Sequence, residues 1–448
     1  MTPPAHAGSG HRPPHAAPLR QRAWRWHFMA ALLVIPFVLW QSVTGTVYLW
    51  SESWVDHRHP DLRFVAPGDA QVPLDHRVDA ARLAVDAAVA SVIVPGDPTR
   101  STQVMFNDPS GLPRAVFVDP YDGRVLGGLA GRAWPVGWSR SLHGGWPLGD
   151  AGSWLLEIGA GWTIVMVLTG LYLWWPRDGR GARALLPRLH AGPRIFWRDL
   201  HACVAVWFAL LIVAFLLTAL PWTSFWGGRV LAPVQQALGQ QAPPAAGFAP
   251  VFAPPPDTQG DASAAAEDPA NRGRLQAMLA RARAHGLRGD LVFLMVDGPP
   301  GAGVFVRSAT HAQPEHAQYL LLDRSDARVL DTADWSDFPP VARAVATGVQ
   351  IHEARYFGRF GPWVNTTFAL ALTWLCVTGA MAWWRRRPAR GLGVPPRPTG
   401  RWPGWLRLAA AGLFIVLPLL ALSSLLLWLL DGAWQRLTAR PPTDPGMA

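Results

Sequence analysis

The chain has no lysine, very little cysteine and few charged residues of either sign. All 40 of its basic residues are arginine, and charged residues make up only 16% of its 448 positions. The two cysteines, Cys203 and Cys376, cannot build a disulfide framework, and each lies in an apolar run, where a thiol is typically an inert packing residue. The chain also lacks a glycine-rich nucleotide motif and a flavin signature, which excludes a dinucleotide-binding domain of the usual pattern.

The excess of positive charge lies at the ends of hydrophobic runs. The formal net charge is +10, and half of the residues are hydrophobic. Basic short loops between apolar segments are typical of a membrane protein, whereas a nucleic-acid-binding protein gathers its basic residues on one face. We therefore expect the chain to contact a lipid bilayer and not to bind nucleic acid.

Five hydrophobic stretches are long enough to cross a bilayer as helices, which takes about 20 residues. Arginine is concentrated before the first stretch and in the two short loops that follow the second and the fourth. By the positive-inside bias these segments are cytoplasmic, and the long connections are periplasmic. The first stretch is too long for a removed signal peptide and lacks a convincing cleavage site, so we expect an uncleaved anchor. The predicted segments are a cytoplasmic tail (1–25), spans at 26–50, 151–175, 199–222, 361–385 and 405–430, cytoplasmic loops at 176–198 and 386–404, periplasmic domains at 51–150 and 223–360, and a periplasmic tail (431–448).

Each long connection is predicted to form one helix followed by a short antiparallel meander. The helices are expected over residues 78–94 and 271–285. The hairpin at 117–126 aligns with the one at 321–330, and an aspartate at the start of each turn is interpreted as capping the turn's own backbone. Metal or substrate contact is the alternative role for these aspartates. Segments rich in proline, glycine and alanine are interpreted as linkers (1–18, 243–266 and 388–403).

Four histidines near the ends of hydrophobic stretches form two pairs with matched spacing. Two of them, which we call the inner pair, each lie 17 residues before a threonine, and the other two, the outer pair, each lie 26 residues before one. Around the outer pair the match extends over further residues at a single offset of 209. The unit of helix, outer segment and helix therefore occurs twice, and the fifth stretch is an addition. The inner combinations are His27 with Thr44 and His201 with Thr218; the outer ones are His143 with Thr169 and His352 with Thr378.

The inner pair, His27 and His201, lies at the cytoplasmic ends of equivalent spans. An ionisable side chain within a membrane helix is costly and suggests a function. A pseudo-twofold axis between the halves would bring the two imidazoles together, and two neutral imidazoles can occupy both axial positions of a haem iron. Such a site transfers electrons and leaves no position for a small ligand. The alternative is a pair of solvated histidines at headgroup level.

The outer pair, His143 and His352, precedes its spans by about ten residues that include glycine and proline, so neither histidine continues a span as one straight helix. We expect both in short interfacial helices or loops, where ligation of a second haem iron competes with a capping or surface role. Together the four histidines predict two stacked sites, one at each face of a hydrocarbon layer about 30 Å thick. That arrangement would give electrons a route across the membrane.

Other polar residues are weaker candidates. Glu157 is the acid inside the second span; it could bond to a haem edge, a neighbouring helix or a proton path, or make an ordinary structural bond. Its repeat partner is Thr366, so the two do not form a matched ligand pair. The glycines that follow Thr44, Thr169 and Thr378 suggest close approach of a helix or of a macrocycle. Nine further histidines are expected to be solvated, with iron or substrate contact as the alternative for the periplasmic ones: His6, His11, His15, His57, His59, His76, His190, His311 and His316.

Short motifs in a fixed order support a family resemblance. They are Trp26-His27, Thr44-Gly45-Thr46 through Trp50, Leu142-His143-Gly144-Gly145, Thr169-Gly170 through Arg177, Arg198-Asp199-Leu200-His201 and Ile351-His352-Glu353. The chain resembles the PepSY-associated transmembrane family, also called iron-regulated membrane proteins, over roughly residues 20–390, and the hairpin at 117–126 is similar to the PepSY signature. Two departures from the usual pattern are Thr218-Ala219 and Glu353-Ala354, and neither changes a proposed ligand.

The resemblance implies an α-helical polytopic protein of the bacterial inner membrane. Its expected fold is a duplicated pair of transmembrane helices, giving a four-helix core plus a fifth helix, with two external α+β PepSY-like domains. Relatives of the FoxB type are ferric-siderophore reductases, which implies two haem b groups, a ferric siderophore or another ferric chelate as substrate, and a quinol or another membrane or cytoplasmic electron donor.

Three functions compete. The leading hypothesis is a di-haem b-type oxidoreductase that passes electrons outward to ferric iron, with His27, His201, His143 and His352 as axial ligands. The alternative is a membrane-anchored binding or regulatory protein, similar to a protease inhibitor, without redox activity. The repeated histidines argue against it, because an anchor has no use for two matched imidazole pairs. A transporter is the third, and the absence of spans broken at midplane argues against it.

Overall fold

The computed structural model describes residues 16–106, 114–130, 133–145, 147–177, 179, 181–246, 274–294, 296, 303–308, 314–388, 393–396 and 402–438. Most of the predicted linkers at 1–18 and 243–266 and parts of the one at 388–403 lie outside these residues, as does the end of the tail 431–448. Of the weaker candidates, His6, His11, His15 and His311 also lie outside them.

The described α-helices include long apolar elements and shorter ones. In chain order they are α1 (Ala16–Arg58), α2 (Pro60–Arg63), α3 (Leu74–Ala84), α4 (Pro135–His143), α5 (Gly149–Trp174), α6 (Pro193–Ala219), α7 (Ala232–Ala237), α8 (Arg274–Ala284), α9 (Pro340–His352), α10 (Gly361–Trp384), α11 (Gly404–Val416) and α12 (Pro418–Thr438).

Four helical segments of the described chain are long and apolar enough to cross a membrane. They are Leu19–Arg58, Gly149–Trp174, Pro193–Trp222 and Gly358–Trp384. Each covers all or nearly all of one of the first four predicted spans, so the expectation of a multi-pass helical membrane protein is confirmed. α1 extends well beyond its predicted span at both ends, because the residues that flank the apolar run keep helical geometry out to Arg58.

The fifth predicted span differs from the expectation of one continuous helix over 405–430. Here the chain forms α11 and α12, with Leu417 between them in a non-helical conformation. The physical reason is Pro418, which has no N–H to donate within a helix and disfavours helical geometry in the residue before it. A hydropathy profile records only the apolar composition and does not detect this interruption.

In one of two compact units, the described residues form helices and connecting loops and no strand. It comprises Met1–Val38, Glu157–Val213 and Trp374–Ala448. Trp162 of α5 is almost fully buried at 1% exposure. Its ring stacks on that of Trp26 at 5.7 Å between centroids, and its Nε1 donates to Ser423 Oγ at 3.1 Å. The added C-terminal helices are therefore packed against the repeated ones within this unit.

The other unit, Leu39–Leu156 and Ala214–Thr373, contains a single eight-stranded antiparallel sheet. Its strand order is β4-β3-β2-β1-β5-β6-β7-β8, so each repeat contributes four neighbouring strands. The repeats join where β1 pairs with β5, with Ser91 opposite Leu294. The strands are β1 (Val89–Val94), β2 (Thr102–Phe106), β3 (Arg114–Val118), β4 (Val125–Ala130), β5 (Leu291–Leu294), β6 (Val304–Ser308), β7 (Tyr319–Leu322) and β8 (Val329–Ala333).

The strand β1, through which the two repeats join, was not predicted from the sequence. The helix expected over 78–94 was wrong in its second part, because α3 ends at Ala84 and residues 89–94 form β1. Alanine in this segment resembles a helical filler, but the β-branched residues Val92, Ile93 and Val94 favour a strand. Pairing with β2 on one side and β5 on the other decides the outcome.

The two faces of the sheet have different partners. Alternate residues of β2 and β6 are buried on one face against α3 and α8, whose apolar stripes complete the largest core of the unit. On the opposite face, Phe117 packs with Trp134 at the start of α4, and Tyr319 packs with Phe338 and Ala342 at the start of α9. Both helices are therefore fixed to the sheet near their N-termini, and both end at a histidine of the outer pair.

Candidate functional site

The structure brings each predicted histidine pair together. In the inner pair, His27 of α1 and His201 of α6 have ring centroids 6.3 Å apart with an interplanar angle of 74°. In the outer pair, His143 at the end of α4 and His352 at the end of α9 have ring centroids 6.2 Å apart with an angle of 55°. Each pair takes one histidine from each repeat, as expected for a pseudo-twofold arrangement.

Each histidine lies on or just before one long helix of its repeat, and it bonds to a threonine of the other long helix of that repeat. The Nδ1–Oγ1 distances lie between 3.0 and 3.4 Å. The bonding is therefore reciprocal. In the first repeat, the histidine of α1 bonds to α5, and the histidine that precedes α5 bonds to α1. In the second repeat, α6 and α10 are related in the same way. The four combinations are His27 with Thr169 at 3.2 Å, His143 with Thr44 at 3.0 Å, His201 with Thr378 at 3.4 Å and His352 with Thr218 at 3.2 Å.

A backbone carbonyl three residues before each threonine fixes the imidazole tautomer. The carbonyl oxygens of Met166 and Leu375 lie 3.0 and 3.1 Å from Nδ1 of His27 and His201. The carbonyls of Gln41 and Phe215 accept in the same way from the outer pair. A carbonyl can only accept, so Nδ1 carries the proton and Nε2 keeps its lone pair. A polar partner on one ring nitrogen commonly orients the other nitrogen for metal ligation.

The threonine hydroxyls complete this support because their protons are used within their own helices. Oγ1 of Thr169 donates to the carbonyl of Val165 at 2.7 Å, and Oγ1 of Thr44 donates to that of Trp40 at 2.8 Å. The equivalent hydroxyls of Thr378 and Thr218 also donate within their helices. Each oxygen can then accept from the Nδ1–H of its histidine.

The glycine after three of the threonines provides the room that the imidazole needs. A Cβ atom on Gly170, Gly379 or Gly45 would lie 3.1 Å from Cε1 of His27, His201 and His143, respectively. The sequence suggested close approach of a helix or a macrocycle at these glycines, and the structure places an imidazole there. At the fourth position Ala219 replaces glycine, and the ring of His352 is instead stacked on Phe215 at 4.4 Å between centroids.

The spacing of both pairs fits a single metal ion between two imidazoles. A metal–imidazole bond of about 2.0 Å, plus about 1.1 Å from the nitrogen to the ring centre, places two opposed ring centres about 6.2 Å apart. The observed separations of 6.3 and 6.2 Å agree with this value. Neutral imidazoles with free Nε2 lone pairs are also the axial ligands that haem b accepts. The residues present therefore fit two bis-histidine haem sites.

The outer pair lies in surroundings that keep both rings uncharged. Burial, followed by the influence of His352, lowers the pKa of His143 from 6.5 to about 3. Burial also lowers the pKa of His352 from 6.5 to about 4, although Glu353 opposes the shift. Since only an unprotonated imidazole binds a metal ion, both rings are ready to ligate at neutral pH.

Arginines beside the outer pair were not identified from the sequence. The carboxylate of Glu353, next to His352, lies 3.2 Å from Nε of Arg355. Arg140 of α4 and Arg307 of β6 act on the same carboxylate. Burial opposes the effect, but these three guanidinium groups hold the pKa of Glu353 below its ordinary value. The Ile351-His352-Glu353 motif, with Arg355 two residues beyond it, could have indicated part of the site, whereas Arg140 and Arg307 lie far from it in the chain.

The other candidates from the sequence are Glu157, the turn aspartates and the remaining histidines. Glu157 is buried, with 2% of its surface exposed, and its predicted role is untested. The turn aspartates Asp119 and Asp323 accept backbone hydrogen bonds at 2.8 and 2.7 Å within their own turns, in agreement with capping. Among the described residues, no group of three or more histidine, cysteine, aspartate and glutamate side chains is suited to hold a metal ion. The described histidines outside the two pairs therefore do not belong to a metal cluster of that size.

Residues 24–386 match the family described as PepSY-associated TM region. The match includes all four histidines and most of the chain. A comparison with curated proteins found no match. Together with the four apolar helices, the match shows that this chain is a multi-pass membrane protein that belongs to the PepSY-associated TM region family.

Proposed function

We propose that this protein is an inner-membrane oxidoreductase with two b-type haems that passes electrons outward and reduces ferric iron in the periplasm, with its N-terminus in the cytoplasm. The observation that supports it most directly is the repeated geometry of the inner and outer pairs. Each offers two imidazoles with Nδ1 bound to the protein and ring centres 6.3 or 6.2 Å apart. Haem held in this way supplies reversible one-electron chemistry.

The protein's own residues would limit these sites to electron transfer. If both imidazoles of a pair held a haem iron, oxygen or substrate would find no free position on it. The threonine and carbonyl partners both hold Nδ1 of each ring, which would keep ligation the same in either oxidation state. Little rearrangement is then needed when an electron arrives or leaves.

The proposed direction of transfer is supported by the positive-inside bias. The arginine-rich loops favour a cytoplasmic position for the inner pair and a periplasmic one for the outer pair. A quinol or another membrane or cytoplasmic donor would supply electrons, because the chain has no nucleotide or flavin motif. One electron converts Fe(III) to Fe(II), which binds hard oxygen ligands of a siderophore or another chelate more weakly. Iron could then leave the chelate.

The test is the absorption spectrum of the full-length protein in detergent, before and after dithionite, with haem counted per chain. We expect a sharp α band of low-spin haem b and two haems per protein. For variants of the four paired histidines, the matched control is His190→Ala, because His190 is exposed and belongs to neither pair. A protein that binds no haem would contradict the proposal and favour the membrane-anchored binding or regulatory protein.

A further inference from the structure

Two consecutive arginines just after the C-terminal end of α10 each have the guanidinium over a tryptophan ring. Arg386 lies over Trp24 of α1, with 4.0 Å between the guanidinium carbon and the ring centroid. Arg387 lies over Trp384 of α10, with 3.6 Å between the same points. The backbone N–H groups of both arginines donate to the carbonyl of Trp383, each at 2.9 Å. The rings and this turn therefore hold both side chains in place, although Arg386 is exposed and Arg387 is partly exposed.

The neighbouring arginine and the equivalent place in the first repeat lack this arrangement. Arg385 is exposed, and no described aromatic ring lies under its guanidinium. At the offset of 209 that relates the outer histidines, the counterparts of Arg386 and Arg387 are Arg177 and Asp178. The guanidinium of Arg177 donates to two carbonyls near the end of α5. The first repeat therefore has an acid where the second has its second stacked arginine, and its one arginine is bonded to the backbone.

The positive charge of the two stacked arginines is not neutralised by the acids that the structure describes. No described acidic side chain forms an ion pair with either of them. The charged groups that act on Arg386 are Arg20, Arg194 and Arg198, of which Arg198 is already bound to Asp199 at 2.7 Å. A guanidinium over a ring uses its face, while the N–H groups in its plane can still donate. Both arginines therefore keep a charge and planar donors for an anion.

The two arginines lie at the depth of lipid headgroups. α10 belongs to the segment Gly358–Trp384, which is long and apolar enough to cross a membrane. Trp383 and Trp384 end this segment, and tryptophan at the end of a span lies at the membrane–water interface. Arg386 and Arg387 follow within three residues. An acidic soluble protein is the other anionic partner to consider, but a position at the bilayer interface favours a lipid.

We propose that Arg386 and Arg387 bind the phosphodiester group of an anionic lipid, with Trp24 and Trp384 holding the two guanidinium groups in position. A guanidinium presents a planar pair of donors that matches phosphate oxygens, and a side chain that is fixed beforehand loses less entropy on binding. An anionic lipid fits better than a zwitterionic one, whose ammonium group the same arginines repel. Since Trp24 also stacks with His27 at 6.4 Å between centroids, the site lies one aromatic ring away from the inner pair. This inference goes beyond the proposed function and does not depend on haem.

The experiment is native mass spectrometry of the full-length protein in detergent, titrated with phosphatidylglycerol. Exchange of Arg386→Gln or Arg387→Gln should weaken binding of the tightest lipid roughly tenfold, because each removes a charge-assisted pair of hydrogen bonds. Arg386→Lys, which keeps the charge but not the planar pair, gives an intermediate loss. Trp24→Leu gives a smaller loss of about threefold, because the guanidinium remains and only its stacking is removed. Arg385→Gln is the matched control and leaves the affinity unchanged, since Arg385 carries the same charge without a ring.

Two further probes identify the anion. We expect phosphatidylcholine to bind this site roughly tenfold more weakly than phosphatidylglycerol, and inorganic phosphate not to displace the bound lipid. Displacement by inorganic phosphate would replace the lipid by a free anion and overturn the proposal. No preference for the anionic lipid would also overturn it and favour an acidic soluble partner.

The control decides whether the site is specific. Equal losses in Arg385→Gln and Arg386→Gln would show a general attraction of anionic lipid to the basic end of α10, and equal affinities of all variants and the parent would show that the arginines bind no lipid. Either result would overturn the site. All of these measurements can be made on protein without haem, so failure of the proposed function would leave their outcome unchanged.

Discussion

The inner and outer pairs share one support and differ in their surroundings. In both, a histidine Nδ1 bonds to a threonine of the partner helix and to a carbonyl three residues earlier in that helix. The inner pair stands on long membrane helices, whereas the outer pair ends two short helices fixed to the sheet. Glu353 and the arginines that act on it lie beside the outer pair, whereas Asp199, two residues before His201 of the inner pair, is bound by Arg188 and Arg198. The two sites therefore share the support of each imidazole and differ in the charged groups around it.

The largest expected effect is loss of one haem when either ligand of a pair is removed. Exchange of His143→Ala or His352→Ala should leave about one haem per chain and abolish ferric reduction, because iron held by a single protein imidazole is bound far less tightly. Exchange of His27→Ala or His201→Ala should leave the other haem. Haem content and reduction of a ferric chelate measure both results. Reduction that survives with the inner haem alone would refute a relay through two sites.

A change of pH should act strongly on the haem-free outer pair. The pKa values of His143 and His352, about 3 and about 4, lie below the ordinary value of 6.5. Between these lowered pKa values and 6.5, the unfolded chain binds protons that the folded chain does not. The two neutral histidines therefore contribute their whole share of the stability above pH 6.5, and this share falls as the pH is lowered. The loss is about 1.4 kcal/mol per histidine and pH unit at most. Thermal unfolding at pH 7.5 and pH 5.0 should show it.

Matched variants test whether the outer histidines cause that pH dependence. Exchange of His143→Gln and His352→Gln together should reduce the difference between the two unfolding temperatures, whereas His190→Gln should leave it unchanged. The same pH dependence in all three proteins would exclude the outer pair as its origin.

The glycines that face the imidazoles should tolerate no side chain. Exchange of Gly170→Ala places a methyl group 3.1 Å from Cε1 of His27, and overpacking of this kind costs about 1–3 kcal/mol. We expect the inner haem to dissociate more readily and the outer haem to be unaffected. Gly412→Ala in α11 is the control, because its Cβ would meet no atom within 4 Å. Equal haem retention in both variants would show that the glycine is not needed for ligation.

Regular spacing made much of this architecture predictable. Apolar runs of sufficient length gave four of the spans, and the repeated intervals between histidine and threonine identified both pairs before any contact was known. These features depend on composition and on positions along one helix. The crosswise bonds, such as that of His27 with Thr169, could not be inferred, because they depend on which helices pack together.

Other features depend on single residues or on tertiary pairing. Pro418 divides the fifth apolar run, and local composition around residues 89–94 did not reveal β1, which is stabilised by strands on both sides. Arg140 and Arg307 approach Glu353 only because the sheet carries α4 and α9 on one face. A signal distributed over more than 200 residues is invisible until the fold is known.

The smallest expected effect concerns the aromatic ring under His352. Phe215 occupies the position held by Leu375 in the inner pair, three residues before the supporting threonine, and only its carbonyl is part of the shared support. Exchange of Phe215→Leu should therefore keep two haems per chain and remove only the ring contact, which is worth about 0.5–1.5 kcal/mol. Redox titration should show a changed midpoint potential for the outer haem and an unchanged one for the inner haem. Loss of the outer haem would mean instead that the ring, rather than Thr218, positions His352. The reciprocal exchange, Leu375→Phe, distinguishes the two accounts, because added stacking on His201 should then affect the inner haem alone.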